Sequence, residues 1–240
     1  MQEQVVSLGE ELGLIKPITL DGLRRHFISS NTEWSQDIYD AMETILKESN
    51  PVIHPFLKPR DVLHYHGDLT SLKLDAIVNA GNPGGLGCFQ EDHKCIDNVI
   101  HSKAGPSLRK FCRQYLEENE IDLVEKGSAF ICPGGALPAS YVIHTVGPIY
   151  PGDEDYKAIL QKAYTSCLDL AEEHGLSSIG FPCISTGIYG MPSSVAATTA
   201  QSAVERWMSA NPSSSISIVF CTFSSKDRTH YTSLNRLSKV

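Results

Sequence analysis

The chain is predicted to fold as an α/β protein, a mixed central sheet covered by helices on both faces, with a helical extension ahead of it. Three observations predict this. From residue 61 onward, short apolar runs alternate with stretches whose apolar residues recur every three to four positions. Runs such as DAIVNA at 75–80 are apolar almost throughout, as strands covered on both faces are. Residues 1–60 carry the helical period alone and end in a segment broken by Pro51, Pro55 and Pro59, which cannot be helix throughout. The predicted organisation is therefore a helical extension, 1–60, followed by one α/β domain, 61–240.

Taken in order, Val5, Leu8 and Leu12 fall on one face of a first helix. A second starts near Thr19 or Asp21 and carries Leu23 and Phe27. A third places Ile38, Met42, Ile45 and Leu46 at helical spacing, with Asn31 or Ser35 as its N-cap. Strands follow at 62–66 and 75–80. After a glycine-broken loop, Ile96, Val99 and Ile100 mark a helix that Gly105-Pro106 ends. Pro106 suits the first turn of the next helix, whose apolar face is Leu108, Phe111, Cys112, Tyr115 and Leu116. Strands at 128–132 and 141–146 flank a Pro-Gly-Gly turn. A long amphipathic helix from Tyr156 ends at Gly175, a C′ residue. A strand at 178–183, a helix started by Pro192, a strand at 216–223 and a closing helix at 226–237 complete the chain.

Composition excludes several partner classes. A formal charge of −8 argues against duplex nucleic acid and anionic membrane, both of which favour basic faces. A nucleotide is still allowed, because backbone N–H groups can hold its phosphates without Lys or Arg. No apolar run reaches membrane-spanning length, and MQEQVVSLGEELGL lacks a basic and then apolar leader pattern. An intracellular, cytoplasmic setting and a monomer are expected. The seven cysteines, an odd number, then lean toward metal, catalysis or packing. Cys112, Cys132, Cys167, Cys183 and Cys221 lie in apolar surroundings and read as small buried hydrophobes. His64, His66 and His144 lie in strand-like runs and read as structural.

Two loops carry chemistry. Ligands of open α/β sheets bind outside the carboxyl ends of strands, and two glycine-broken loops follow strands here. In the first, Gly81, Gly84, Gly85 and Gly87 deny regular structure, and Cys88, His93 and Cys95 come directly after. Thiolate and imidazole are zinc ligands, and three within eight residues can wrap one ion. Glu91, Asp92 and His101 are the neighbouring candidates for a fourth ligand; three alone would leave a coordination position open, as working zinc sites do. Asp97 follows His93 by four residues and shares its helix face. It can face a ligand cavity or stand as a solvated surface charge. Asp68 can close a turn or accept from an adenine amino group, and Asn79 and Asn82 can serve the loop or a ligand. In the second loop, Ser185, Thr186, Gly187, Ile188, Tyr189 and Gly190, N–H groups can converge on an anion, with the following helix adding its positive end.

GDLT, DAIVNAGN, the AG of HSKAG, YVIHTVGP and GFPCISTGIYGMP, in that order, resemble the macrodomain family, which binds ADP-ribose. The segment GCFQEDHKCIDN and the helical extension resemble the zinc-containing subfamily, whose members remove ADP-ribose from modified proteins. The resemblance implies a three-layer α/β/α macrodomain with a mixed central sheet. It implies that Asp68, with Leu69 beside it, takes the adenine end. Asn82 would contact the distal ribose and share catalysis with Asp97. Ser185, Thr186, Gly187, Ile188 and Tyr189 would wrap the pyrophosphate, and Cys88, His93 and Cys95 would hold Zn2+ beside the distal ribose. The common NAAN reads Asn79-Ala80-Gly81-Asn82 in this chain.

The expected function is a zinc-dependent hydrolase that releases mono-ADP-ribose from protein side chains, ester-linked at Asp or Glu. The substrate is then a mono-ADP-ribosylated protein and the product ligand ADP-ribose. Two rivals use the same pocket: a non-catalytic ADP-ribose reader and an O-acetyl-ADP-ribose deacetylase.

Overall fold

The computed structural model describes residues 1–234. Eight α-helices and six strands alternate as α1 (Gln2–Glu11), α2 (Leu20–Ser29), α3 (Gln36–Ser49), β1 (Val62–His66), β2 (Ala76–Ala80), α4 (Ile96–Ala104), α5 (Pro106–Glu118), β3 (Ala129–Pro133), β4 (Tyr141–Thr145), α6 (Tyr156–Glu173), β5 (Ser178–Phe181), α7 (Ser193–Ala210), β6 (Ser217–Thr222) and α8 (Ser225–Leu234). A single 3₁₀ turn, Leu69–Ser71, follows β1. Residues 235–237 of the expected closing helix lie outside the described residues.

The strands form one sheet in the order β1-β6-β5-β2-β4-β3. Every neighbouring pair is parallel except β3 with β4, so the sheet is mixed, as expected. Side chains alternate across it. Ala76 and Val78 of β2 point into a core completed by α6, α7 and Tyr231 of α8. Ile77 points the other way, into a core built with Ile100, Ala104, Leu108 and Cys112 of α4 and α5. Helices on both faces make three layers. Parallel strands also put the carboxyl ends of β1, β6, β5, β2 and β4 along one edge, which is where both glycine loops emerge.

Local signals set most element ends. Thr19 caps α2, its hydroxyl accepting from Gly22 N at 3.1 Å. Ser35 is the N-cap residue of α3. Gly105, at φ +84°, closes α4 and opens α5, and Gly175 follows α6 at φ +64°. Four strands are shorter than expected, β2 and β4 by one residue each and β5 and β6 by two. β5 stops at Phe181 because Pro182 has no N–H to give the ladder. β6 stops at Thr222, leaving Phe223 83% exposed. Cys112, Cys132, Cys167 and Cys221 are buried as expected; Cys183, just past the end of β5, is only half-buried.

The extension packs on the α/β layers. Val5, Leu8, Leu23, Phe27, Met42, Ile45 and Leu46 form its core, which Ala136 of the domain joins. Asn50 crosses the junction, its amide donating to the carbonyls of Lys103 at 2.9 Å and Ala136 at 3.1 Å. No helix among the described residues is long and apolar enough to cross a membrane.

Candidate active site

The loop between β2 and α4 and the loop between β5 and α7 face each other across a cavity of about 420 Å³. Its walls include Gly81, Asn82, Cys88, His93, Cys95 and Asp97 from the first loop, and Ser185, Gly187, Ile188 and Tyr189 from the second. This volume is in the range of small-molecule sites.

Asp97 sits in the first turn of α4 and is buried, 4% exposed. That rules out the solvated surface charge. Its Oδ1 accepts from Asn79 Nδ2 at 2.7 Å and its Oδ2 from Asn82 Nδ2 at 3.1 Å. Burial pushes its carboxyl above the usual carboxylate range, and the two amide bonds oppose that shift. Asn79 is itself held in register. It pairs across the sheet with His144, whose Nδ1 lies 3.1 Å from the same amide nitrogen. His144 stacks on Phe130 at 4.6 Å and sets its Nε2 3.4 Å from Cys112 Sγ. The structural role expected of His144 is thus observed: it backs the asparagine that holds the carboxylate. His64 and His66 both bond Thr222 Oγ1 in the sheet.

Asn82 is engaged within its own loop. Besides Asp97, its amide donates to Gly87 O at 3.1 Å, and its oxygen accepts from Gly84 N at 2.9 Å. Gly87 is required there, because a Cβ would meet the His101 ring at 2.7 Å and its φ is +87°.

Cys88, His93 and Cys95 come together as the spacing suggested. Their ligand atoms all lie within 4.8 Å of one another, with Cys88 Sγ 3.3 Å from His93 Nδ1. Two thiols and an imidazole at this separation, half-buried at the cavity wall, fit one zinc ion. Cys95 also caps α4, accepting from Asn98 N at 3.3 Å, yet burial pushes its thiol up to about 11. Among the described residues no further His, Cys, Asp or Glu joins the group. His101, a sequence candidate for a fourth ligand, is instead buried with Cys112 and His144 behind Asp97.

In the second loop, Ser185 adopts φ +68°, in the left-handed region that few non-glycine residues enter. Its buried hydroxyl has no hydrogen-bond partner among the described residues. Gly190 N bonds Gly187 O and Met191 N bonds Ser185 O, so the loop curls on itself. Among the described residues, the N–H groups of Gly187, Ile188 and Tyr189 donate to no backbone carbonyl. Three consecutive N–H groups without a main-chain acceptor among the described residues, at a cavity wall ahead of α7, are the donor set an anion cradle requires. Thr186 turns away, its hydroxyl donating to Cys183 O at 2.9 Å, and does not line the cavity.

Asp68 and Leu69 stand apart from this cavity. Asp68 Oδ1 accepts from Thr70 N and Thr70 Oγ1 at the 3₁₀ turn, and Leu69 is buried. Both follow β1 on the same sheet edge. Phe223, expected as the last residue of a strand, instead leaves β6 at that edge, where Thr222 pairs with His66. Sequence reasoning missed Gln90, Lys94 and Gly147 in the cavity wall. The signal for Gly147 was present in YVIHTVGP, a glycine directly after a strand. The others sit at positions without local pattern.

A mixed α/β sheet with a buried carboxylate and a run of N–H donors at its strand ends is an arrangement that can receive an anionic ligand. The chain belongs to the Macro domain family, whose model matches residues 78–200. It is 47% identical over 173 residues to a protein-ADP-ribose hydrolase of Treponema medium, covering 71% of this chain and 65% of that relative. It is 41% identical over 196 residues to a protein-ADP-ribose hydrolase of Staphylococcus aureus, covering 79% and 73%. The chain thus spans just under two thirds of the first relative's length and somewhat more of the second's. Among solved structures, the Trypanosoma brucei macrodomain in complex with ADP-ribose superposes with a TM-score of 0.68 at 30% identity, covering 88% of this chain and 94% of that one. The Oceanobacillus iheyensis macrodomain with ADP gives 0.66 at 33%, covering 72% and 90%.

Proposed function

We propose that this chain is a protein-ADP-ribose hydrolase whose cavity receives ADP-ribose joined to a protein side chain, with zinc held by Cys88, His93 and Cys95. Kinship at 40–47% identity to proteins of that name supports the hydrolase activity. One observation carries the site: the amide-held Asp97, the three zinc-type donors and the anion cradle all line one cavity.

The diphosphate lies on the N–H groups of Gly187, Ile188 and Tyr189, with Tyr189 against the distal ribose. The adenine extends along the sheet edge toward Asp68 and the exposed ring of Phe223, which offers a stacking face. The distal ribose then falls between Asp97 and the Cys-His-Cys group. Asn79 and Asn82 each occupy one carboxylate oxygen of Asp97 and fix its plane. The remaining lone pairs are placed to accept a proton from an attacking water or to hold a ribose hydroxyl. When bound at the three donors, zinc supplies Lewis acidity beside the same sugar.

An ester linkage at Asp or Glu fits the role given to Asp97. Asp97, the one carboxylate among the described lining residues, is assigned to the water or the ribose hydroxyl, so the leaving group takes no proton from it. A side-chain carboxylate leaves without that help, whereas a serine alkoxide or a guanidine does not. This favours ADP-ribose ester-linked to Asp or Glu. The test pairs metal analysis with release assays on proteins modified at acidic residues, serine or arginine. Release from the acidic linkage by zinc-loaded protein supports the reading. Tight ADP-ribose binding with no release from any linkage would make the chain a reader instead.

A further inference from the structure

The structure assigns Arg109 as a positioning residue for the hydrolytic site, linking the N-terminal extension to the cavity wall. Arg109 lies on α5, 6% exposed, and touches none of the cavity. Its Nε donates to Leu86 O at 2.8 Å. Its Nη1 donates to Phe27 O at 2.9 Å and to Ser30 O, and its Nη2 to Ile28 O at 3.0 Å. The guanidinium carbon lies 4.1 Å from the ring centroid of Phe89.

Each contact meets a distinct need. The carbonyls of residues 27, 28 and 30 are those the end of α2 leaves without helical partners. Burying them beside α5 demands a donor, and a planar guanidinium serves several at once where lysine cannot. The Nε–H, which none of these carbonyls takes, reaches the first site loop. There Leu86 and Phe89 bracket Gly87 and Cys88. Arg109 holds the Leu86 carbonyl and lies over the Phe89 ring, while Asn82 holds the Gly87 carbonyl. Two main-chain carbonyls before Cys88 and the side chain directly after it are thus held, next to the asparagine that orients Asp97. Among the described residues Arg109 makes no hydrogen bond to the second loop. The extension therefore sets the geometry of the reacting end of the cavity and leaves the phosphate end alone.

Arg113, one turn further along α5, bonds Asn31 Oδ1 at 2.6 Å and Glu33, outside the site loop. It provides the control, holding the same extension without touching Leu86 or Phe89.

The inference rests on reading the cavity as the hydrolase site. The experiment compares wild type with Arg109→Gln, Phe89→Ala and Arg113→Ala, each assayed well below its melting temperature. It measures kcat and KM for ADP-ribose release and Kd for free ADP-ribose. Arg109→Gln should lower kcat at least tenfold while Kd moves less than threefold, because the phosphate cradle is intact. Phe89→Ala should lower kcat in the same sense, and it decides the matter if Arg109→Gln does not fold. Arg113→Ala should keep the wild-type kcat. A folded Arg109→Gln, or in its absence Phe89→Ala, with kcat within twofold of wild type overturns the inference. An equal loss in Arg113→Ala does so too, since it would reduce the effect to general loosening. Failure of the underlying site reading looks different: Asp97→Asn would then leave release intact.

Discussion

Asp97 is the reacting carboxylate of the proposed mechanism, and its surroundings predict how replacing it would behave. Asn79 and Asn82 donate to its two oxygens, so an amide at 97 would oppose one N–H with another and lose the proton-accepting lone pair. Asp97→Asn should lower kcat for ADP-ribose release by about 10²-fold or more, the usual scale for a lost general base. Single-turnover assays at saturating substrate check this, and wild-type kcat in the variant would remove Asp97 from the mechanism. A second residue-scale prediction concerns His101, 3% exposed, both of whose ring nitrogens lack a hydrogen-bond partner among the described residues. Burial holds its pKa well below the ordinary value, so it folds neutral. The unfolded chain binds a proton there near pH 6.5 that the native state does not, so this contribution to stability is lost as pH falls below about 6.5. The slope approaches about 1.4 kcal/mol per pH unit for one such group. Urea titrations at pH 7.5 and 5.5 should show the loss, and His101→Gln should flatten it by that amount. At this scale much was legible. Cys88, His93 and Cys95 sit close in sequence, so spacing alone brought them together. The burial of Asp97 was not legible, because its partners Asn79 and Asn82 come from a strand and a loop, and only the tertiary fold turns that helix face inward.

The elements that carry the site were readable for a related reason. Apolar strands and glycine breaks are local signals, so the six strands and both loops fall where the sequence puts them, within two or three residues. What the sequence could not place was the contact between loops. Gly147, which follows β4, marks that contact: a Cβ there would come within 2.3 Å of Ser185 Oγ and 2.6 Å of Ile184 Cγ2. Ser185 Oγ can turn aside, but Ile184 is fully buried and its Cγ2, fixed on Cβ, cannot. Gly147→Ala should therefore displace the anion cradle and raise Kd for ADP-ribose about tenfold, or about 1.4 kcal/mol. Gly187 lies in the same loop, yet a Cβ there meets nothing within 4 Å. Gly187→Ala should then leave the melting temperature unchanged. Isothermal titration with ADP-ribose, beside thermal melts of both variants, tests the pair. Unaltered affinity in a folded Gly147→Ala would show that this loop does not hold the ligand.

At the scale of the whole molecule, the question is whether the extension is a separate unit. Its helical texture and proline-broken link made it look like an appendage in the sequence, since periodicity reports local structure and says little about docking. The packed structure argues for union. The extension core takes in Ala136 from the domain, and Leu46 sits where a Cβ on Gly105 would meet it at 2.8 Å. Asn50 satisfies two buried carbonyls across the junction, and Arg109 satisfies three at the end of α2. Removing the extension would leave those donors and acceptors exposed to an apolar cut surface, so the two parts should unfold as one. The chain carries a reporter on each side. Trp34 packs on Phe27 in the extension, and Trp207 donates to Asp169 within the α/β domain. Trp34→Phe and Trp207→Phe each leave a single fluorophore. Their urea transitions should coincide in midpoint, and Asn50→Ala should lower both together by about 1–3 kcal/mol, the cost of stranding buried polar groups. If the Trp34 transition moved to lower urea while that of Trp207 stayed in place, the extension would be a separately folding unit. Its hold on the Leu86–Phe89 segment through Arg109 would then be severable without unfolding the domain.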